Sequence, residues 1–229
     1  MQAVKLKTWT TTQEEEDRMY DGHLHHWQAI IGLMKEDNLA GKTVLDFGCN
    51  QGGFLRTLYQ SHPYMRGLGL DIAEESLAIA EQKAGNIPAE YCTVDQFMQT
   101  APSGLFDIAF SHEVIYLLRD LPEHARLISR LLKPGASYYA ATGCHTDNPL
   151  WPAWHKVISD YSNIPVPNYA LSDYVDAFSR CGFDVEFRPV GIHGFVKAEP
   201  DDKVYFPTPA AKIAYYNNDK MLFRFTRQD

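Results

Sequence analysis

Cysteine is scarce in this chain. Four thiols, Cys49, Cys92, Cys144 and Cys181, are scattered over 229 residues with no paired spacing. That argues against a disulfide framework or a zinc cluster and fits a reducing compartment. Long apolar runs are missing too. Nothing approaches the roughly 20 residues needed to cross a bilayer, and the opening stretch MQAVKLKTWTTTQEEEDRMY holds no apolar core of the kind a secretory leader needs. Positive charge is in short supply: 21 Lys and Arg face 29 Asp and Glu, for a formal net charge of -8. With no local basic patch, a nucleic-acid partner is disfavoured. Internal repeats and low-complexity tracts are absent. A cytoplasmic protein without a membrane or nucleic-acid partner is expected.

What is present reads as one domain with a sizeable core, since 45% of residues are hydrophobic and 22% charged. Residues 11–40 read as a helical cap, with Met19, Leu24, Trp27, Ile30, Ile31 and Met34 at three- and four-residue steps and Gly41 as its stop. Short apolar strands follow at 43–47, 66–70, 90–94, 106–110 and 136–142, alternating with helices such as 72–84 and 121–132. That alternation implies right-handed crossovers and a mostly parallel sheet. In such sheets ligands bind at the carboxyl ends of the strands. The polar residues placed there are Asp46, Asp71, Asp95 and Ser111, with Gly143 after the fifth strand. Regularity fails at 144–169 and 191–219, two aromatic- and proline-rich stretches expected to stand on the acceptor side. Their Trp151, Trp154, Tyr161, Tyr169, Tyr205, Phe206, Tyr215 and Tyr216 are pocket walls or plain cover for the sheet edge.

The strongest local signal is Val44-Leu45-Asp46-Phe47-Gly48-Cys49-Asn50-Gln51-Gly52-Gly53. Glycines after a strand let the backbone turn tightly and approach a ligand. A dinucleotide fold needs G-x-G-x-x-G to seat a pyrophosphate, and here Asn50 replaces the middle glycine. The pattern instead resembles the first motif of class I S-adenosylmethionine-dependent methyltransferases. Arg66-Gly67-Leu68-Gly69-Leu70-Asp71-Ile72, Thr93-Val94-Asp95-Gln96, Phe106–Val114 and Leu131–Ala136 continue the resemblance in order, over residues 40–143.

The resemblance implies an α/β, Rossmann-like three-layer fold with a mostly parallel seven-stranded sheet whose last strand is antiparallel. It implies a single methyltransferase domain over 1–229, with 1–40 as the helical cap and 41–143 as the cofactor-binding core. The cofactor would be S-adenosylmethionine, bound by Tyr20, Asp46, Gly48, Cys49, Asn50, Gly52, Asp71, Ile72, Asp95, Gln96, Ser111 and His112. Asp46 would help hold the ammonium, Asp71 the ribose hydroxyls and Asp95 the adenine amine. Asp71 has a rival reading as a cap for the helix after Ala73. Tyr20 and Trp27 close the pocket or belong to the core.

Methyl transfer asks mainly for alignment and, where needed, removal of a proton. His145 and His112 are the candidate bases because both follow strands at the ligand edge and histidine titrates near neutral pH. His112 also has a rival role beside the cofactor. His23 and His26 are a near-facing pair, with His25 pointing elsewhere, and no third metal ligand is identifiable. No metal is expected. Ser111-His112-Glu113-Val114 stands where methylases of exocyclic amines carry Asn/Asp-Pro-Pro-aromatic, so a small-molecule acceptor taking the methyl on O, N or S is the leading expectation. A non-catalytic cofactor-binding domain and an aminopropyl transferase are the alternatives.

Overall fold

The structure, a computed structural model, describes residues 13–161, 165–192, 194–199 and 202–229, without the side chains of 13–19, 21 and 161. The first two residues of the expected N-terminal helix, the rest of the cap before residue 13, and the Tyr161 side chain lie outside that description.

Seven strands make one sheet: β1 Thr43–Phe47, β2 Arg66–Asp71, β3 Ala89–Thr93, β4 Phe106–His112, β5 Leu132–Thr142, β6 Phe183–Pro189 and β7 Met221–Arg227. Their order is β3-β2-β1-β4-β5-β7-β6. β1 to β5 pair in parallel, and β7 enters antiparallel between β5 and β6. The expected fold class is therefore the observed one. The strand order reverses between β1 and β4, and that switch leaves a crevice at their carboxyl ends.

Helices α1 Gln13–Leu33, α2 Gly53–Ser61 and α3 Glu74–Lys83 cover one face, while α4 Val94–Met98, α5 Leu121–Leu131 and α7 Leu171–Ser179 cover the other, with α6 Trp151–Tyr161 over the strand ends. Strand alternation divides the core accordingly. Val44 packs with Trp27, Ile30, Leu55 and Leu58, while its neighbour Leu45 packs with Ala125, Ile128 and Phe178. A third apolar cluster, Tyr116, Cys144, Trp151, Trp154, Ile158 and Tyr215, stands above the carboxyl edge.

Four expectations need correcting. The first helix stops at Leu33, not at Gly41. Asp37 and Asn38 follow, and Asn38 Oδ1 accepts from the Ala40 N–H, a local bond that competes with helix. Residues 144–169 are not irregular throughout, since α6 occupies Trp151–Tyr161. Pro152 sits in its first turn, where a missing N–H costs nothing. The second insertion holds α8 Asp202–Tyr205, α9 Pro209–Ala214 and a π-helical turn over Tyr215–Asp219. Asp95 lies in α4 rather than at the end of β3.

Candidate functional site

The crevice opens into one cavity of about 690 Å³ that runs from the glycine turn to the aromatic cluster. At the turn, Gly48 and Gly52 have φ of 81° and 68°. A side chain on Gly48 would meet Val114, and one on Gly52 the ring of Tyr91. Glycine is required on both counts. Gly53 is different: its missing Cβ makes room for Trp27 and Tyr20, so helix α1 lies directly on the turn.

Asp71 closes β2 and uses both oxygens on backbone. Oδ2 accepts from the Asn50 N–H at 2.8 Å and Oδ1 from the Ala73 N–H at 3.0 Å. Asp71 thus shapes the glycine turn and the entry to α3 while lining the cavity, and each oxygen retains a second lone pair. Asp46 is buried, and its Oδ2 has no hydrogen-bond partner. Burial, with help from the Asp71 charge, pushes its carboxyl up to about 8. An orphaned carboxylate oxygen in a cavity wall suits a cationic group brought by a ligand.

Most of the twelve residues expected around a cofactor line this cavity. Tyr20, Asp46, Gly48, Cys49, Asn50, Asp71, Ile72, Asp95 and His112 do so. Gly52, Gln96 and Ser111 do not. Gln96 Oε1 accepts from the Thr93 N–H at 3.0 Å while Thr93 Oγ1 accepts from the Gln96 N–H at 3.2 Å, a capping box that holds α4. Gly52 faces Tyr91, and Ser111 is buried within β4.

The candidate bases separate. His145 is buried and off the cavity wall. Its Nε2 donates to the Asp219 carbonyl at 2.7 Å, which pins the π-turn. His112 stands in the wall, where Trp27 Nε1 donates to its Nδ1 at 3.2 Å. An indole nitrogen only donates, so Nδ1 is unprotonated and Nε2 carries the ring proton. That Nε2 is buried with no partner. His112 in this arrangement is a donor and not a base.

The other histidines are reassigned as well. His25 and His26 do not diverge; their ring centroids are 3.8 Å apart. His23 and His26 both face the cavity, with His23 5.0 Å and His26 6.2 Å from the His112 ring. Burial is the main cause that lowers all three pKa values, His23 to about 4, with the Lys220 charge second. Among the described residues no group of three His, Cys, Asp or Glu is placed to hold a metal ion.

Of the aromatic residues expected as walls, Trp154, Tyr205, Phe206, Tyr215 and Tyr216 line the cavity. Trp151 is core, its Nε1 bonded to Asn168 at 2.9 Å, and Tyr169 is tied to the Leu118 carbonyl at 2.8 Å. Sequence reasoning missed Glu113 and Lys220. Glu113 follows β4 with φ 54°, a left-handed backbone unusual for a non-glycine residue. Its Oε1 meets Lys220 Nζ at 2.6 Å, and its Oε2 accepts from Thr142 Oγ1 at 3.0 Å. Glu113 carried a faint signal, a carboxylate at a strand end on the ligand edge. Lys220 carried none.

Comparison with known proteins gives the family and the fold. A family of methyltransferase domains matches residues 38–175. A ubiquinone biosynthesis O-methyltransferase of Pseudomonas paraeruginosa is 32% identical over 108 residues, 45% of each chain. A tRNA U34 carboxymethyltransferase of Hydrogenovibrio crunogenus is 34% identical over 110 residues, 46% of this chain and 33% of that one. The chain matches less than two thirds of the length of these relatives. Among solved structures, a chain of the complex between the Haloferax volcanii Trm112 methyltransferase activator and a methyltransferase superposes with a TM-score of 0.78. It is 24% identical, with 94% of each chain covered.

Proposed function

The chain belongs to the family of methyltransferase domains, the S-adenosylmethionine-dependent class, and from that premise we propose that it methylates a small, partly apolar molecule. The carrying observation is the continuity of the cavity. One space of about 690 Å³ joins an orphaned carboxylate oxygen of Asp46 to a wall of Trp154, Phe206, Tyr215 and Tyr216.

S-adenosylmethionine fits the residues at the first end. Asp46 suits its ammonium, the spare lone pairs of Asp71 its ribose hydroxyls, and Asp95, near the start of α4, its adenine amine. When bound, the cofactor supplies a methyl group already activated by an adjacent sulfonium. This chain then has to orient the acceptor and exclude water. Helix α1 closes one side through Trp27, α6 and the π-turn close the other, and the described 144–169 and 191–219 segments together form the acceptor cap of a single domain.

The aromatic cap favours a small acceptor over a nucleic acid, as does the net charge of -8. An aminopropyl transferase needs free carboxylates for a polyamine, and Glu113, the one carboxylate among the described residues at the acceptor end, is bound by Lys220.

Titration calorimetry with S-adenosylhomocysteine and with NAD, followed by transfer of labelled methyl to a panel of small acceptors and to tRNA, tests this. Binding of the first nucleotide with methylation of a small acceptor is expected. Binding of NAD alone, or transfer to tRNA alone, overturns it.

A further inference from the structure

We propose that the acceptor end of the cavity is a site for an oxygen anion, a phenolate or a carboxylate on an aromatic or similarly apolar body, held by the Lys220 ammonium and the His112 Nε2–H. The inference rests on the small-molecule reading above.

The hydrogen-bond inventory of this wall is lopsided. Glu113 spends both oxygens inside the protein, on Lys220, Thr142 and, at 3.4 Å, the Gly143 N–H. The ring acceptor of His112 is taken by Trp27. What remains on Glu113, His112 and Lys220 is donors. His112 Nε2–H is buried without a partner, and the Lys220 ammonium has three hydrogens for the single carboxylate bound to it. A buried donor left unmade is costly, and such groups call for an explanation. A ligand oxygen supplies one.

Charge points the same way. Lys220 is 3% exposed, and its field reaches His23, His26 and His112, all of which burial already keeps neutral. A cationic amine brought here would meet an ammonium and no free carboxylate among the described residues that line this end. An anion meets two donors beside mostly apolar walls, where charge-assisted hydrogen bonds are strong. Its aromatic body lies against Trp154, Tyr215 and Tyr216. Glu113 sets where the ammonium stands, and its left-handed backbone donates its own N–H to the Ala141 carbonyl at 2.9 Å.

The test uses the full chain saturated with S-adenosylhomocysteine and three probes: 4-nitrophenol, benzoate and benzylamine. The visible absorbance of 4-nitrophenol reports its ionised form without any turnover. At a pH where the free probe is half ionised, binding to wild type is expected to raise the ionised fraction, and benzoate is expected to displace it while benzylamine is not. Lys220→Met alone strands a buried carboxylate, so the Glu113→Gln, Lys220→Met double variant accompanies it. That pair should bind benzoate at least about tenfold more weakly while keeping S-adenosylhomocysteine affinity within a few-fold. Preference for benzylamine, a fall in ionised 4-nitrophenol, or no binding of any probe by a protein that still holds S-adenosylhomocysteine overturns the anion site alone. Failure to bind S-adenosylhomocysteine at all sinks the methyltransferase reading instead.

Discussion

At the glycine-turn end of the cavity, Asp46, Asp71 and Asp95 stand with no lysine or arginine paired to them among the described residues, whereas at the aromatic end the single carboxylate, Glu113, is locked to Lys220. The first end is arranged to receive positive charge and hydroxyl donors. The second has its one carboxylate occupied and keeps an ammonium and a ring N–H as donors. Two ligands of opposite demand can therefore share one cavity without exchanging places.

The comparison is most severely tested at Asp71. Asp71→Ala removes a carboxylate that organises the Asn50 and Ala73 amides and, in the proposed role, two ribose hydroxyls. Hydrogen bonds to charged groups contribute about 1.5–3 kcal/mol, so S-adenosylhomocysteine should bind roughly 10- to 150-fold more weakly by calorimetry. Acceptor-end variants such as His26→Ala should change that affinity by far less. Wild-type affinity in a folded Asp71→Ala protein would leave Asp71 as a turn-former and helix cap only.

Gly143→Ala is the mirror experiment. A Cβ there would run into the Tyr215 ring, which lies against Gly143. Overpacking of this kind costs about 1–3 kcal/mol, and the strain falls on the π-turn that carries Tyr215 and Tyr216. Acceptor KM should rise several-fold and the melting temperature should drop, with cofactor affinity nearly unchanged. Equal losses at both ends would mean that the two halves are mechanically one.

The third prediction concerns pH. Between its ordinary 3.8 and about 8, Asp46 holds a proton in the folded protein that the unfolded chain has released. Stability therefore falls as pH rises through that window. His23, shifted from 6.5 to about 4, and His124, shifted to about 3, are neutral when folded and charged when unfolded between those values and 6.5. They make stability rise with pH up to 6.5, as do His26 and His112, which are lowered too. Melting of the ligand-free protein should be highest near pH 6.5, and Asp46→Asn should remove the decline on the alkaline side. A decline that persists in Asp46→Asn belongs to another group. Ligand binding near neutral pH should also release a proton from Asp46, visible as a buffer-dependent binding enthalpy.

The smallest effect is expected from His145→Ala. The bond to the Asp219 carbonyl contributes about 0.5–1.5 kcal/mol, so a melting shift of a few degrees and a modest rate loss should follow. A hundredfold fall in kcat with unchanged melting and KM would restore His145 as a base.

The same contrast explains what could be read from the chain. The first end is built from contiguous segments, 46–53 and 66–72, whose glycines are demanded by backbone geometry and so leave a fixed spacing. Strand order and the antiparallel last strand came with that resemblance. The second end draws on α1, the turn after β4, α6, the π-turn and the start of β7. Lys220 and Glu113 are 107 positions apart, and no local pattern joins them. Pro152 hid a helix because a proline in a first helical turn looks the same as a proline in a loop. His145 misled for a simpler reason: proximity to a strand end says nothing of which way a ring turns.

Strand β7 lies in the interior of the sheet, between β5 and β6, although it comes last of these seven in sequence. Until residues 221–227 have left the ribosome, β5 keeps an open hydrogen-bonding edge, and β6, whose pairing runs through β7, has no place in the sheet. The nascent chain can close the β3-β2-β1-β4-β5 sheet early, since those pairings join neighbours in sequence or strands one crossover apart. β7 then closes on β5 across a long sequence separation, the slow kind of step in folding. At that stage the glycine turn can be formed while the β5 edge stands open and no Lys220 is yet opposite Glu113.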